Sequence, residues 1–121
     1  MKPIAKLVKK FPAMFYQSHN GVEPVREWLR SDIFSKDDRK KIGQDIATVE
    51  IGWPLGMPLC GSLGGGLWEI RSSLSGRREL RIIFCIIKQQ LVLLHGFIKK
   101  TRTTPANDLL MARKRKKEID S

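Results

Sequence analysis

Hydrophobic and polar positions along the chain alternate between two spacings, and each change of spacing marks an element. Phe11–Tyr16 is a short aromatic-rich run that reads as a first strand, and Ser18-His19-Asn20-Gly21 reads as a turn into a helix. Val25, Trp28 and Leu29 recur at helical spacing with Pro24 in the first turn, which predicts a helix over roughly Glu23 to Arg30. Ser35-Lys36-Asp37-Asp38 has the composition of an N-cap followed by acids, and Ile42, Ile46 and Val49 continue one face, predicting a second helix from Lys36 to Ile51. From Leu55 to Gly66 the glycines and prolines predict no regular structure, with Gly64-Gly65-Gly66 as the most flexible point.

Three β-rich runs follow, Leu67–Ser73, Leu80–Ile87 and Leu91–Ile98, separated by turn signals at Ser75-Gly76 and Lys88-Gln89-Gln90. They predict an antiparallel meander. Thr104-Pro105 reads as an N-cap and first-turn proline opening a last helix, with Leu109, Leu110 and Ala112 apolar and a basic tail after them. The expected class is α+β, a small and mainly antiparallel sheet with two N-terminal helices and a C-terminal helix.

A length of 121 residues bounds this to one domain with one modest core, and 41% hydrophobic content is ordinary. The formal charge of +11 is not ordinary. So much charge of one sign works against the compact state and points to a polyanionic partner, nucleic acid first and an acidic protein second. Cys60 and Cys85 have no metal-ligand spacing and read as reduced thiols in or near the core. Lysines interrupt every apolar run of the N-terminus, so no signal peptide is expected. No window approaches the ~18 apolar residues of a membrane helix, and a cytoplasmic protein is expected.

The first hairpin of the meander has a register that decides which face its arginines occupy. A three-residue loop at Ser75-Gly76-Arg77 sets Ile70 against Ile82 and Trp68 against Phe84, a sensible core side, and puts Arg71 directly opposite Arg81 on the other face. Like charges opposed across a sheet repel, so an anion between them is the natural complement. The register of the third strand is open: one choice brings Lys99 beside Arg81, the shifted one brings Lys100. The competing reading is that all four are solvent-face cations. Glu69 shares the face of Arg71, where it orients an arginine, accepts a proton or simply pairs. His95, inside an apolar strand, is a candidate acid or base or else a satisfied core histidine. Arg77 and Arg78 at the hairpin, and the run Arg113-Lys114-Arg115-Lys116-Lys117, are candidate RNA or ribosome contacts, the run exceeding what capping a helix end requires.

Other chemistries find no support. The glycines at Gly61–Gly66 are not followed by the Lys-Ser/Thr and helix of a phosphate-binding loop. No metal site is expected, no cofactor, and no Ser/His/Asp set.

The segments Gly66-Leu67-Trp68-Glu69-Ile70-Arg71, Arg81-Ile82-Ile83-Phe84, Leu94-His95-Gly96-Phe97-Ile98-Lys99-Lys100-Thr101 and Thr104-Pro105 together resemble the RelE/ParE superfamily of toxins, in particular its phage-derived HigB-like branch. Gly21-Val22-Glu23-Pro24-Val25-Arg26-Glu27-Trp28-Leu29 resembles the same branch. The resemblance runs from Phe11 to the C-terminus as a single domain, leaving residues 1–10 as a basic extension. It implies a RelE-like fold and the toxin of a type II toxin–antitoxin pair. It further implies a metal-independent endoribonuclease that cleaves mRNA, commonly on the ribosome, and a helix-turn-helix, HigA-like antitoxin held in a hetero-oligomer. In such enzymes the 2′-hydroxyl attacks the adjacent phosphate and cations stabilise the developing charge. By position Arg81 matches the strand arginine of the family and Lys99 or Lys100 the basic residue after the last strand. Some relatives carry a C-terminal tyrosine for proton transfer, and this chain has none after Tyr16. The general base is therefore open among Glu69, His95, a lysine and Asp108. Two rivals remain, a ParE-like inhibitor of gyrase and a simple basic RNA-binding module.

Overall fold

The computed structural model describes residues 8–120; residues 1–7 of the basic N-terminal segment lie outside the described residues. The elements run β1 (Ala13–Phe15), α1 (Pro24–Leu29), α2 (Lys36–Gly52), β2 (Cys60–Gly64), β3 (Leu67–Leu74), β4 (Arg78–Ile87), β5 (Gln90–Ile98) and α3 (Ala106–Asp120). The sheet order is β1-β5-β4-β3-β2, antiparallel except for the parallel pair β1–β5. The α+β class and the antiparallel meander are as the hydrophobic pattern predicts.

Local chemistry sets the helix ends. Ser35 Oγ accepts from the Asp38 backbone N–H at 3.0 Å and the Asp38 carboxylate accepts from the Ser35 N–H at 2.9 Å, a reciprocal capping box that starts α2. The Asp38 carboxyl is held below its ordinary range by that backbone hydrogen bond first and by Arg78 at 2.7 Å next, against the opposing effect of burial. Glu50, buried near the other end of α2, takes the Ala13 backbone N–H at 2.7 Å and Lys9 at 3.3 Å, tying β1 to the helix.

Alternation along the strands sorts side chains to two faces. Ile70, Ile82, Phe84, Leu91 and Leu93 pack toward α1 and α2 with Val25, Phe34, Ile42 and Val49. Leu67, Ile83, Cys85, Val92, Leu94 and Phe97 pack toward α3 with Ala112. On the first face Trp53 meets the edges of Trp68 and Phe84 at 4.9 and 5.1 Å between centroids. Gly96 lets α1 lie against β5: a Cβ there would come within 2.2 Å of the Trp28 ring. Both cysteines are free and buried, as expected, and burial pushes each thiol up to about 11.

Three expectations are corrected. The segment from Leu55 to Gly66 is not irregular throughout, because Cys60–Gly64 forms the edge strand β2 against β3. Gly64-Gly65-Gly66, all with φ between 62° and 82°, are the tight turn of that hairpin, a left-handed path that only glycine takes at low cost. Their role is geometric rather than that of a slack linker. The Thr104 hydroxyl does not cap α3 but reaches across to Glu69 at 3.1 Å.

Candidate functional site

The hairpin register is the one the core pattern predicts: Trp68 pairs with Phe84, Ile70 with Ile82, and Arg71 stands opposite Arg81. The loop between the strands is Ser75–Arg77, with Gly76 at φ 73° and Arg77 at φ 58°. Both arginines lie on the α3 side of the sheet. There they meet Phe97, Lys99 and the segment after β5, which contributes Arg102, Thr103 and Thr104 to one small cleft.

The anion between the opposed arginines is one of the chain's own carboxylates. Glu69 is 4% exposed, and its Oε1 lies 3.2 Å from Arg71 Nη2 and 3.7 Å from Arg81 Nε. Arg71 Nε also donates to Oε1 at 3.2 Å, and Thr104 donates to Oε2. Arg81, itself buried, donates from Nη1 to Glu79 and to the Leu80 carbonyl, both at 3.2 Å. Glu79 is held below its ordinary range. Burial pushes it up, but hydrogen bonds from Arg81 and Ser73 and the charges of Arg81 and Lys99 outweigh that.

The cleft retains a strong positive bias, because four cations, Arg71, Arg81, Lys99 and Arg102, line it with the single carboxylate of Glu69. Its volume of about 20 Å³ admits one water-sized group.

Lys99 rather than Lys100 enters the site because of a bulge. Ile83 pairs with His95 but Phe84 pairs with Leu93, so Leu94 is an extra residue in β5. Before it Leu91 and Leu93 face α1 and α2; after it Phe97 faces the α3 side, and Lys99 follows it there. The Lys99 backbone N–H, bonded to the Glu79 carbonyl at 2.7 Å, extends the pairing past the end of β5. Lys100 is exposed and does not line the cleft.

Two contributors were missed in the sequence. Gly61 on β2 pairs with Glu69, and a Cβ there would lie 3.0 Å from Arg71 Nη2, so the glycine is the floor on which that guanidinium rests. Thr104 orients the carboxylate from above. The signal for Gly61 is its place opposite Glu69, which shows only once Cys60–Gly64 is paired as a strand.

The other sequence candidates are dispersed. His95 Nε2 is 2.6 Å from Asp108 Oδ1, and Nδ1 faces Arg115 Nη1 at 3.4 Å, so the ring clamps α3 to β5 and does not line the cleft. An arginine only donates, so in the neutral ring Nδ1 is the acceptor and Nε2–H points to Asp108. Arg78 is half-buried on the other face, on Asp38 and the Ile33 carbonyl, while Arg77 is exposed at the turn. Arg115 donates to the Leu94 carbonyl at 2.8 Å and lies 5.3 Å from the Tyr16 ring centroid, and Lys116 pairs with Asp120 at 2.8 Å. Arg113, Lys114 and Lys117 are the exposed members of the run. Among the described residues no group of three or more His, Cys, Asp or Glu is placed to hold a metal ion, and no helix is long and apolar enough to cross a membrane.

Residues 27–117 match a family described as phage derived protein Gp49-like (DUF891), a span that holds Glu69, Arg71, Arg81, Lys99 and Thr104. Comparison with curated proteins finds no match.

Proposed function

We propose, on the premise that this chain belongs to the Gp49-like phage-derived protein family (DUF891), a family of RelE-type toxins, that it is a toxin that cuts mRNA on the ribosome in the cytoplasm. Membership implies an antitoxin partner; a small helix-turn-helix protein of the HigA type fits the HigB-like motifs. The observation that carries the cleavage reading is the opposed pair Arg71 and Arg81, oriented on Glu69 with Lys99 beside them.

In this reading the scissile phosphate sits at the mouth of the cleft, where Arg71 and Arg81 hold its non-bridging oxygens. The 2′-oxygen attacks phosphorus and the bond to the 5′-oxygen breaks, giving a 2′,3′-cyclic phosphate and a 5′-hydroxyl end. Charge gathers on the phosphoryl oxygens, and prepositioned guanidiniums stabilise it without reorganising. Lys99 offsets the same charge. Glu69, a carboxylate that lines the cleft, takes the 2′ proton, and the departing 5′-oxygen takes a proton from water. Arg113, Lys114 and Lys117 supply ribosomal RNA contact.

Primer extension on a defined mRNA with translating ribosomes, comparing wild type with Arg81→Ala, tests this. Discrete cuts that disappear in the variant are expected. Intact mRNA with the wild type, together with DNA damage signalling in cells, would transfer the protein to the gyrase-inhibitor reading. Intact mRNA and no toxicity would leave a binding module.

A further inference from the structure

The carboxylate of the cationic cleft lies too deep to be the first group a substrate hydroxyl meets. Glu69 is 4% exposed and both of its oxygens are engaged: Oε1 lies 3.2 Å from Arg71 Nη2 and 3.7 Å from Arg81 Nε, and Oε2 accepts the Thr104 hydroxyl at 3.1 Å. The cleft of about 20 Å³ has room for a water-sized group and none for a ribose. Thr104, half-buried, lines the same cleft.

Of the other side chains there, Arg71, Arg81, Lys99 and Arg102 donate as cations, and Phe97 neither donates nor accepts. That leaves the hydroxyls of Thr103 and Thr104, and a hydroxyl can accept and donate at once. Thr104 is the one whose hydroxyl bonds Glu69, whereas Thr103 is tied through its carbonyl to the Thr101 hydroxyl at 2.8 Å. Among the described residues no group donates to Thr104 Oγ1, so its lone pairs are available to a donor from the substrate. The backbone accounts for this. α3 begins at Ala106, and Pro105 disfavours helical backbone at the residue before it, so Thr104 stays outside the first turn and its hydroxyl turns to the sheet.

We propose that Thr104 is a catalytic residue that relays the 2′ proton to Glu69. As the 2′-oxygen bonds to phosphorus, its proton passes to Thr104 Oγ1 and the Thr104 hydroxyl proton passes to Glu69 Oε2. The threonine ends neutral and Glu69 ends as the carboxylic acid. The bond from phosphorus to the 5′-oxygen breaks, and that oxygen takes a proton from water. Orienting the guanidiniums and accepting the proton thereby fall to different oxygens of one carboxylate, Oε1 and Oε2. The relay rests on the mRNA-cleavage reading of this cleft.

Single-turnover cleavage on mRNA-programmed ribosomes, in mixtures of H2O and D2O, tests it with a scissile linkage whose 5′-bridging oxygen is replaced by sulfur. Sulfur leaves without a proton, so the rate reports only the protons that move during attack. Wild type is expected to give a bowed dependence on deuterium fraction, the signature of two protons in flight. Thr104→Ser keeps the hydroxyl and is expected to cut within about threefold of wild type, with the same bowed curve. Thr104→Val keeps the shape without the hydroxyl and is expected to lose about 100-fold in rate, with the half-saturating protein concentration little changed. A straight line for wild type, Thr104→Val as fast as wild type, or Thr104→Ser as slow as Thr104→Val would each overturn the relay. Should the melting temperature show Thr104→Val unfolded, the wild-type and Thr104→Ser curves decide. Cutting by wild type with a straight line overturns the relay and keeps the cleavage reading; intact mRNA with wild type overturns both.

Discussion

Arg71 on β3 and Arg81 on β4 stand directly opposite each other and face one carboxylate oxygen, Glu69 Oε1, at 3.2 and 3.7 Å. Two guanidiniums in cross-strand contact would repel, and the carboxylate between them converts that repulsion into a fixed orientation. The arrangement holds both guanidiniums in place on the folded chain's own carboxylate.

Glu69→Gln should cost about 3 kcal/mol, because it leaves the buried Arg81 facing a neutral amide. Urea unfolding measures it; a loss below about 1 kcal/mol would show that Glu79 alone satisfies Arg81.

Gly61→Ala should lower mRNA cleavage while changing stability little. The new methyl would lie 3.0 Å from Arg71 Nη2, the far end of a flexible side chain, so the guanidinium moves rather than the strand. Unchanged cleavage with an unchanged melting temperature would remove Arg71 from the site.

Lys99→Ala should lower the single-turnover cleavage rate by about 100-fold, as loss of one preorganised cation does, whereas Lys100→Ala should leave it nearly unchanged. The reverse result would mean that the bulge at Leu94 is misplaced.

Acid should weaken the joint between α2 and the β3–β4 hairpin. The folded-state pKa of Asp38 is depressed, so its stabilisation is complete above the ordinary carboxylate range near 4 and is lost as pH falls through the lower folded value. Melting temperatures of wild type and Asp38→Asn should differ at pH 7 and converge toward pH 2. A constant difference over that span would detach Asp38 from the acid transition.

The β4–β5 turn can be improved. Lys88 and Gln89 adopt φ of 50° and 59°, the left-handed pair that Asn-Gly fills with least strain. Lys88→Asn/Gln89→Gly should add roughly 1 kcal/mol in chemical denaturation; a loss would mean that the lysine and glutamine side chains contribute contacts of their own.

Much of this molecule is legible in its one-dimensional pattern. Period-two alternation with a three-residue turn determined that Arg71 opposes Arg81, since a two-residue loop would set Arg81 against Ile70 on the core side. Helical spacing and the Ser35–Asp38 signature determined α2, because capping is local chemistry. Tertiary structure alone decided the rest. Cys60–Gly64, too poor in β-formers to read as a strand, is one because β3 offers a free edge, and that pairing carries Gly61 beneath Arg71. His95 had the composition of a catalytic base, but the packing of α3 engages both of its nitrogens. The choice between Lys99 and Lys100 turned on one extra residue at Leu94, and a bulge forms where packing on both faces demands it, information that sequence spacing does not hold.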